Sequence, residues 1–187
     1  MKNHINSKNQ FTIFFIIMLL SLNCSCESVF EDEKFTLKKT PYMGKELRID
    51  GYYYKKYILN ANSINVEHID VMFFYNNGIL ILAGSGEQLE IESYFSSGQF
   101  YDKVKSNPNV WCLYSIDGNT IKIEFLKPMG GIGAPMYMKI GKIINDTTFQ
   151  LVREFASYNN EDSRDLDETY HFKQFAPKPD STNIYTK

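Results

Sequence analysis

The chain has 187 residues with 20 basic and 22 acidic side chains, a formal net charge of −2 that excludes a strongly basic nucleic-acid-binding surface, so we expect no nucleic-acid partner. Its 43% of hydrophobic and 22% of charged residues exclude an intrinsically disordered protein and allow one folded core. Because aromatic side chains fit a pleated, half-buried surface, the 14 Phe and 13 Tyr favour β-strands.

The first predicted element is a signal peptide over residues 1–25. Lys2 and Lys8 precede an apolar run over residues 11–22, which is typical of a secretory signal. A helix of that length rises about 18 Å, whereas the hydrocarbon core of a bilayer is about 30 Å thick. We therefore expect a cleaved signal rather than a permanent transmembrane span.

Two cysteines follow the apolar run directly, in the segment Asn23-Cys24-Ser25-Cys26-Glu27. This segment resembles the lipobox of bacterial lipoproteins, in which a cysteine thiol receives a diacylglyceryl group and the signal peptidase cleaves before it. The resemblance implies lipidation of Cys26, or of Cys24, with palmitate as an acyl chain. It also implies an anchor in the bacterial outer membrane, with the domain in the periplasm or at the cell surface. The alternative is a secreted protein whose two cysteines are lost or form a disulfide bridge.

An acidic tether and lead-in is predicted over residues 26–46. Its first part carries Glu27, Glu31, Asp32 and Glu33. This acidic run resembles the export signal that follows the cysteine in some surface-exposed lipoproteins of Gram-negative bacteria. A solvated linker that holds the domain away from the membrane is the other interpretation.

Eight segments of strand length follow the tether. They cover residues 47–54, 69–75, 78–83, 110–116, 120–126, 136–144, 148–155 and 169–175. Three pairs of these segments are joined by Asn76-Asn77-Gly78, Asp117-Gly118-Asn119 and Asn145-Asp146-Thr147. Asn, Asp and Gly tolerate the positive φ of tight hairpin turns, so these three junctions predict antiparallel neighbours.

The clearest alternation, over residues 121–125, places three apolar side chains on one face of a strand and Glu124 on the other. A period of two residues predicts one core face and one solvent face. Residues 149–155 repeat the pattern, with Glu154 predicted on the solvent face and Arg153 as the exception on the apolar face.

A helical insertion is predicted between strands three and four. Apolar residues recur at loosely helical spacing over residues 85–107, and Gly98 divides them into two short helices. Pro108 is expected to end the second helix. We expect this insertion to cap one end of a barrel, either as a lid on a cavity or as a plug on the core.

The predicted fold is an all-β, eight-stranded antiparallel up-and-down barrel over residues 47–175, with a two-sheet sandwich as the alternative. Four segments of this domain, residues 49–54, 74–79, 111–124 and 170–175, resemble small lipocalin-like lipoproteins of Gram-negative bacteria. The resemblance implies a lipocalin-like barrel whose interior holds side chains or one small ligand. Residues 176–187 are predicted to form an extended, mobile C-terminal tail.

The residues that carry catalysis or bind metals are few in this chain. We expect His68 and His171 to lie on different segments and Cys112 to be a buried, inert thiol, so we predict no enzyme, no cofactor and no metal site. Five carboxylates over residues 161–168 allow a calcium site as the alternative to a solvated hairpin loop. The glycine-rich residues 128–135 join two strands and are interpreted as a mobile flap at the barrel mouth.

Two functions without catalysis remain. In the first, the barrel of a monomer binds a small apolar or amphipathic molecule, with the glycine-rich loop as the rim of the site. The expected wall and rim residues are Tyr52, Tyr54, Phe74, Trp111, Tyr137, Met129 and Ile132. In the second, side chains fill the barrel, and the protein docks onto another envelope protein as an accessory lipoprotein.

Overall fold

The computed structural model describes residues 34–61, 64–84, 88–128 and 135–186. Within these ranges, eight antiparallel strands close into one barrel in which strands adjacent in sequence are paired and β8 returns to pair with β1. The strands are β1 (Gly51–Ala61), β2 (Ile64–Phe74), β3 (Ile79–Gly84), β4 (Trp111–Asp117), β5 (Thr120–Leu126), β6 (Met136–Asn145), β7 (Thr148–Ala156) and β8 (Arg164–Gln174). The predicted eight-stranded antiparallel barrel is confirmed, and the sandwich alternative is wrong.

Two short α-helices of the described residues follow β3 in chain order, α1 (Gln88–Phe95) and α2 (Gly98–Ser106). Ser97 caps α2, because its hydroxyl accepts a hydrogen bond from the Phe100 N–H at 3.3 Å. A 3-10 turn (Pro108–Val110) then leads into β4. In this part of the chain, no helix has both the length and the apolar character needed to cross a membrane.

The two ends of the barrel differ in their connections. Tight turns join β2 to β3, β4 to β5 and β6 to β7 at one end, which we name the turn end. The other end, named the loop end, carries the longer connections between β3 and β4, between β5 and β6 and between β7 and β8. At the turn end, the Tyr42 N–H donates to the Asn76 carbonyl at 2.8 Å and the Arg48 N–H donates to the Asp146 carbonyl at 2.9 Å. Residues 42–48 therefore lie against the turn end.

A first hydrophobic cluster, the inner cluster, fills the barrel interior with side chains from all eight strands. Its members are Leu47, Tyr53, Met72, Phe74, Leu80, Cys112, Tyr114, Ile121, Ile123, Phe125, Tyr137, Ile143, Phe149, Leu151, Ala156 and Tyr170. On each strand these positions mostly alternate with residues that point outward, as the period of two predicts.

A second hydrophobic cluster, the outer cluster, lies on the outside of β1–β4 and beneath the two helices. Its members are Tyr52, Ile69, Val71, Phe73, Tyr75, Ile79, Ile81, Ile91, Phe95, Phe100, Val104, Trp111 and Leu113. The helices thus pack on the barrel wall, whereas the sequence suggested a cap on one end. The reason is that β1–β4 are apolar on both faces, so their outward side chains also need a cover.

Three strands, β1, β2 and β8, each include a part that was not predicted. β1 continues to Ala61 and β2 begins at Ile64, so a long hairpin replaces the expected break. β8 begins at Arg164, inside the acidic segment that was interpreted as a loop. Polar residues dominate both regions, and a strand that is solvated on both faces lacks the alternation from which strands are recognised.

A β-bulge in β7 changes which side chains after Leu151 point into the barrel. The register between β7 and β8 shifts between Leu151 and Arg153. As a result Arg153 is exposed, while the Glu154 side chain is only 2% exposed. The prediction that Glu154 faces solvent is therefore wrong, because a bulge adds one residue and inverts the alternation that follows it.

The lead-in also buries a carboxylate that the alternation placed in solvent. Glu124 on β5 points outward but is fully buried. Its two carboxylate oxygens accept hydrogen bonds from the Thr36 hydroxyl at 2.9 Å and from the Leu37 N–H at 2.7 Å. The segment that covers Glu124 lies 87 residues earlier in the chain, which is why the strand's own pattern did not indicate burial.

The C-terminal residues 176–186 lie against the barrel rather than free of it. The Tyr75 hydroxyl donates to the Pro179 carbonyl at 2.6 Å, and Lys178 Nζ donates to the Phe74 carbonyl at 2.6 Å. Burial lowers the pKa of Lys178 to about 8, against the opposing effect of a nearby carboxylate. Polar contacts and the packing of Tyr185 against the outer cluster hold this segment. The segment contains no apolar run from which this packing could have been predicted.

Barrel closure between β1 and β8 depends on Gly51. A Cβ atom at this position would lie 2.0 Å from the Lys173 carbonyl oxygen on β8. That distance is far below van der Waals contact, so glycine allows the two backbones to approach.

Candidate functional site

The residues predicted to line a ligand site inside the barrel do not meet around one cavity. Phe74 and Tyr137 belong to the inner cluster, whereas Tyr52 and Trp111 belong to the outer cluster and Tyr54 packs against the outer cluster. Met129 and Ile132 lie outside the described residues. The face of each strand, which the sequence left open, decides this separation.

Aromatic rings fill the barrel interior towards the turn end. The Phe149 ring stacks on Tyr170 with centroids 5.1 Å apart and also lies 5.1 Å from the Tyr53 ring. Phe74 and Tyr114 meet edge to face at 4.9 Å. These are the distances of directly packed rings, so this part of the lumen is a core.

Towards the loop end, charged side chains lie beside aromatic ones inside the barrel. Lys55 Nζ on β1 and Lys139 Nζ on β6 each lie 2.9 Å from an oxygen of Glu168 on β8. Burial by itself raises the pKa of Glu168, but the charges and hydrogen bonds of the two lysines outweigh burial and lower that pKa. Glu168 is therefore ionised at neutral pH.

A second buried carboxylate completes this ion network. Glu154 lies 2.8 Å from Lys127 Nζ, 3.0 Å from Arg164 Nε and 3.7 Å from Lys139 Nζ. Burial raises the pKa of Glu154, whereas hydrogen bonds from Arg164 and Lys127 outweigh burial and hold the pKa below its ordinary value. The network joins β1, β6, β7 and β8, and its carboxylates are paired rather than poised to exchange protons near neutral pH.

The predicted catalytic and metal-binding candidates are dispersed. His171 is exposed on β8, and His68 stacks on Tyr57 with ring centroids 5.7 Å apart. Cys112 is fully buried, and burial raises the pKa of its thiol. Its sulfur contacts the Val110 carbonyl at 3.8 Å. Among the contacts of the described residues, none joins Cys112 to either histidine.

The acidic segment 161–168 spreads its carboxylates among different partners. Asp162 accepts a hydrogen bond from the Tyr137 hydroxyl, and Asp167 accepts one from Gln150 at 2.7 Å. No group of three or more His, Cys, Asp or Glu side chains in the described ranges is arranged to hold a metal ion.

A cavity of about 530 Å³ lies on the outer wall, between the helices and the end of β3. Its lining is mostly apolar and consists of Leu82, Ala83, Gly84, Ile91, Tyr94, Phe95, Phe100, Lys103, Val104, Asn107 and Val110. We name it the wall cavity. Its volume falls within the range of about 300–1,000 Å³ that is usual for small-molecule sites.

The wall cavity lies beside the part of β3 that extends past the start of its partner β4. β3 pairs with β4 only over residues 79–81, and β4 begins at Trp111. β3 then continues to Gly84 alongside β2 alone. The 3-10 turn (Pro108–Val110) occupies the place where β4 would extend, and a helical turn cannot fit a strand edge as closely as another strand does. The mismatch leaves the space between them.

Three contacts fix the helices over this space. Glu92 on α1 accepts the Tyr52 hydroxyl at 2.8 Å and pairs with Lys173 Nζ at 2.7 Å. The Trp111 indole N–H donates to the Val104 carbonyl at 2.9 Å near the end of α2. These contacts attach α1 to β1 and β8, and α2 to β4. Tyr52 and Trp111, predicted as ligand walls, instead hold the helices that enclose the cavity.

Most of the residues that line the wall cavity were not predicted as site residues from the sequence. Phe95, Phe100 and Val104 were recognised as the apolar positions of two helices, but Lys103 and Val110 were not considered for a site. Their helical or turn positions carry no motif, and only the packing of the insertion on the outside of β3 brings them together.

Comparison of the chain with protein-family models, with curated proteins and with solved structures gave no match.

Proposed function

We propose that this chain is a lipid-anchored envelope lipoprotein that binds a small apolar or amphipathic molecule without catalysing a reaction. The observation that carries the proposal is the wall cavity, a mostly apolar space of about 530 Å³ on the outer wall of the barrel. The proposed binding site therefore lies on the outer wall, whereas the sequence predicted a site in the barrel lumen. The up-and-down topology supports the lipocalin-like part of the proposal at the level of architecture alone.

The anchor is a separate part of the proposal, and it is supported by the sequence of residues 1–27. Acylation at Cys26, or at Cys24, attaches the domain to the outer membrane through its acyl chains. Metabolic labelling with a palmitate analogue tests it. We expect Cys26→Ser to abolish labelling and Cys24→Ser to preserve it, and the reverse result assigns the lipid to Cys24. Labelling of both single variants and of the double variant contradicts lipidation at either cysteine.

The ligand test compares native and denatured masses of the protein purified from its own host. We expect a reproducible extra mass of a few hundred daltons in the native protein, since that is the size of molecule such a cavity holds. Ala83→Phe places an aromatic ring in the wall cavity and should remove the extra mass. Ile144→Phe is the matched control, because Ile144 is exposed on β6 and does not line the cavity.

Two results contradict ligand binding at this site. The first is an extra mass that survives Ala83→Phe, which places the ligand elsewhere. The second is an unchanged mass in the wild-type protein together with no shift in melting temperature when apolar compounds are added.

The second candidate function is docking onto another envelope protein, and the β1–β2 hairpin favours it. β8 pairs with β1 over residues 51–54 and β3 pairs with β2 over residues 70–74, so the rest of the hairpin extends beyond the barrel. This extension exposes Ile58 and Leu59, an apolar pair of the kind found at contact surfaces. We expect Ile58→Asp with Leu59→Asp to release the partner in a co-purification experiment while leaving the melting temperature unchanged.

A further inference from the structure

The wall cavity has one cationic side chain at its rim. Lys103 is the charged residue among the described residues that line the cavity, and it is exposed. It lies on α2 between Phe100 and Val104, both of which are buried in the outer cluster. Its aliphatic stem therefore borders the apolar space while its ammonium group remains in water.

The three lysines of the ion network have partners within the chain, whereas Lys103 has none among the described residues. Lys55 and Lys139 pair with Glu168, and Lys127 pairs with Glu154. Lys103 forms no ion pair or hydrogen bond through its ammonium group in the described part of the chain. Among the described residues, no carboxylate lines the cavity either. A cation beside an apolar space without a counter-charge favours an anionic group on the molecule that enters it.

We propose that the ligand of the wall cavity is a long-chain carboxylic acid, whose apolar chain fills the cavity and whose carboxylate pairs with Lys103. This inference rests on the proposed ligand-binding function. The lining residues Ile91, Phe95 and Phe100 contact the chain, and the cavity volume lies in the lower half of the usual range, which suits one chain rather than two. Transfer of the chain from water to these side chains supplies affinity, and Lys103 supplies the preference for a negative head group.

The test uses photo-crosslinking of the complete lipoprotein in isolated membranes. The probes are hexadecanoic acid and hexadecanol that carry the same diazirine group, and the labelled peptides are mapped by mass spectrometry. We expect both probes to label residues 82–110 and the acid to be preferred about fivefold, since an exposed ion pair contributes at most about that factor. Lys103→Gln should remove the preference and retain labelling by the alcohol, and Lys103→Arg should keep it. Lys122→Gln, a change of an exposed lysine on β5, is the matched control.

The outcomes separate this inference from the function on which it rests. Equal labelling of residues 82–110 by both probes, or an acid preference that survives Lys103→Gln, overturns the role of Lys103 and leaves ligand binding intact. Labelling that misses residues 82–110 with both probes, or that Ala83→Phe does not reduce, overturns the wall cavity as a ligand site.

Discussion

The inner and outer clusters are both rich in aromatic side chains, yet different elements bound them. The inner cluster is bounded by strands on every side, and the ring centroids of Tyr53, Phe74 and Phe149 lie 5.1 to 5.7 Å apart in a continuous set. The outer cluster is bounded by β1–β4 on one side and by two short helices on the other. Phe95 and Phe100 contact each other at 5.0 Å, but both also border the wall cavity.

The elements that surround a core therefore affect how closely its side chains pack, in addition to its composition. Eight paired strands close on themselves and place side chains on a regular grid, so large residues interlock. Two helices laid on the end of a single strand cannot match that grid, and space remains where β3 extends past β4. A ligand site is therefore expected at the irregular boundary, on the outside of the barrel.

The largest expected effect comes from matched truncations in the two clusters. Phe149→Ala should lower the free energy of unfolding by about 4 kcal/mol, because its ring is fully buried among other rings and leaves a cavity. Phe100→Ala should cost about 1 kcal/mol less, because one side of that ring already faces empty space. Urea unfolding followed by the fluorescence of Trp111, the single tryptophan, measures both. Equal losses, or a larger loss for Phe100→Ala, would contradict the distinction between the clusters.

The ion network at the loop end should respond almost as strongly. Glu154→Gln leaves Lys127, Lys139 and Arg164 facing a neutral side chain and should cost about 3 kcal/mol, as expected when one partner of a buried ion pair is removed. Glu67→Gln is the control, because its pair with Lys56 at 2.7 Å is exposed and should contribute within about 0.5 kcal/mol. Equal effects of the two substitutions would mean that burial of Glu154 does not matter.

The same network sets the response of stability to acid. The folded-state pKa values of Glu154 and Glu168 lie below the ordinary value of 4.5, so folding releases protons from these groups as the pH approaches that value. Their contribution to stability is therefore complete above about pH 4.5 and is lost as the pH falls through the folded-state pKa values. We expect the wild-type unfolding free energy to fall more steeply below pH 4.5 than that of Glu154→Gln. Parallel curves would contradict this assignment.

The smallest expected effect concerns the C-terminal segment that covers part of the outer cluster. Tyr75→Phe removes the buried hydroxyl that donates to the Pro179 carbonyl at 2.6 Å and should lower the free energy of unfolding by about 1 kcal/mol. Tyr158→Phe, at an exposed position, should leave stability unchanged. Hydrogen exchange should show faster exchange over residues 176–186 in Tyr75→Phe alone. Unchanged exchange there would show that other contacts hold the segment.

Alternation and turn chemistry made most of the barrel predictable. Residues 120–126 were assigned as a strand from their alternation, and β5 has these bounds. The three junctions that contain Asn together with Asp or Gly predicted the hairpins at the turn end correctly, because these residue types tolerate the backbone of tight turns. Gly78, for example, has a φ of 80°, which L side chains rarely adopt.

The candidate site was far less predictable than the fold. Tyr52 and Phe74 were assigned to one wall because both are aromatic, yet they lie on opposite faces of the sheet. Glu154 was predicted to face solvent, but a bulge turns its side chain inward. Glu124 was also predicted to face solvent, but a segment distant in sequence covers it. Each error comes from a position where local periodicity is interrupted or where a distant segment supplies the burial.

The number and order of the strands and their antiparallel pairing followed from the sequence, because these depend on residue periodicity and on turns of a few residues. Tertiary structure alone decided which apolar face became lumen and which became outer wall, where the helices packed, and that a cavity remained beside β3. The physical reason is that β1–β4 are apolar on both faces, so their own pattern satisfies either orientation equally. Only closure of the barrel, which requires β8 to pair with β1 across Gly51, fixes the register and with it the site.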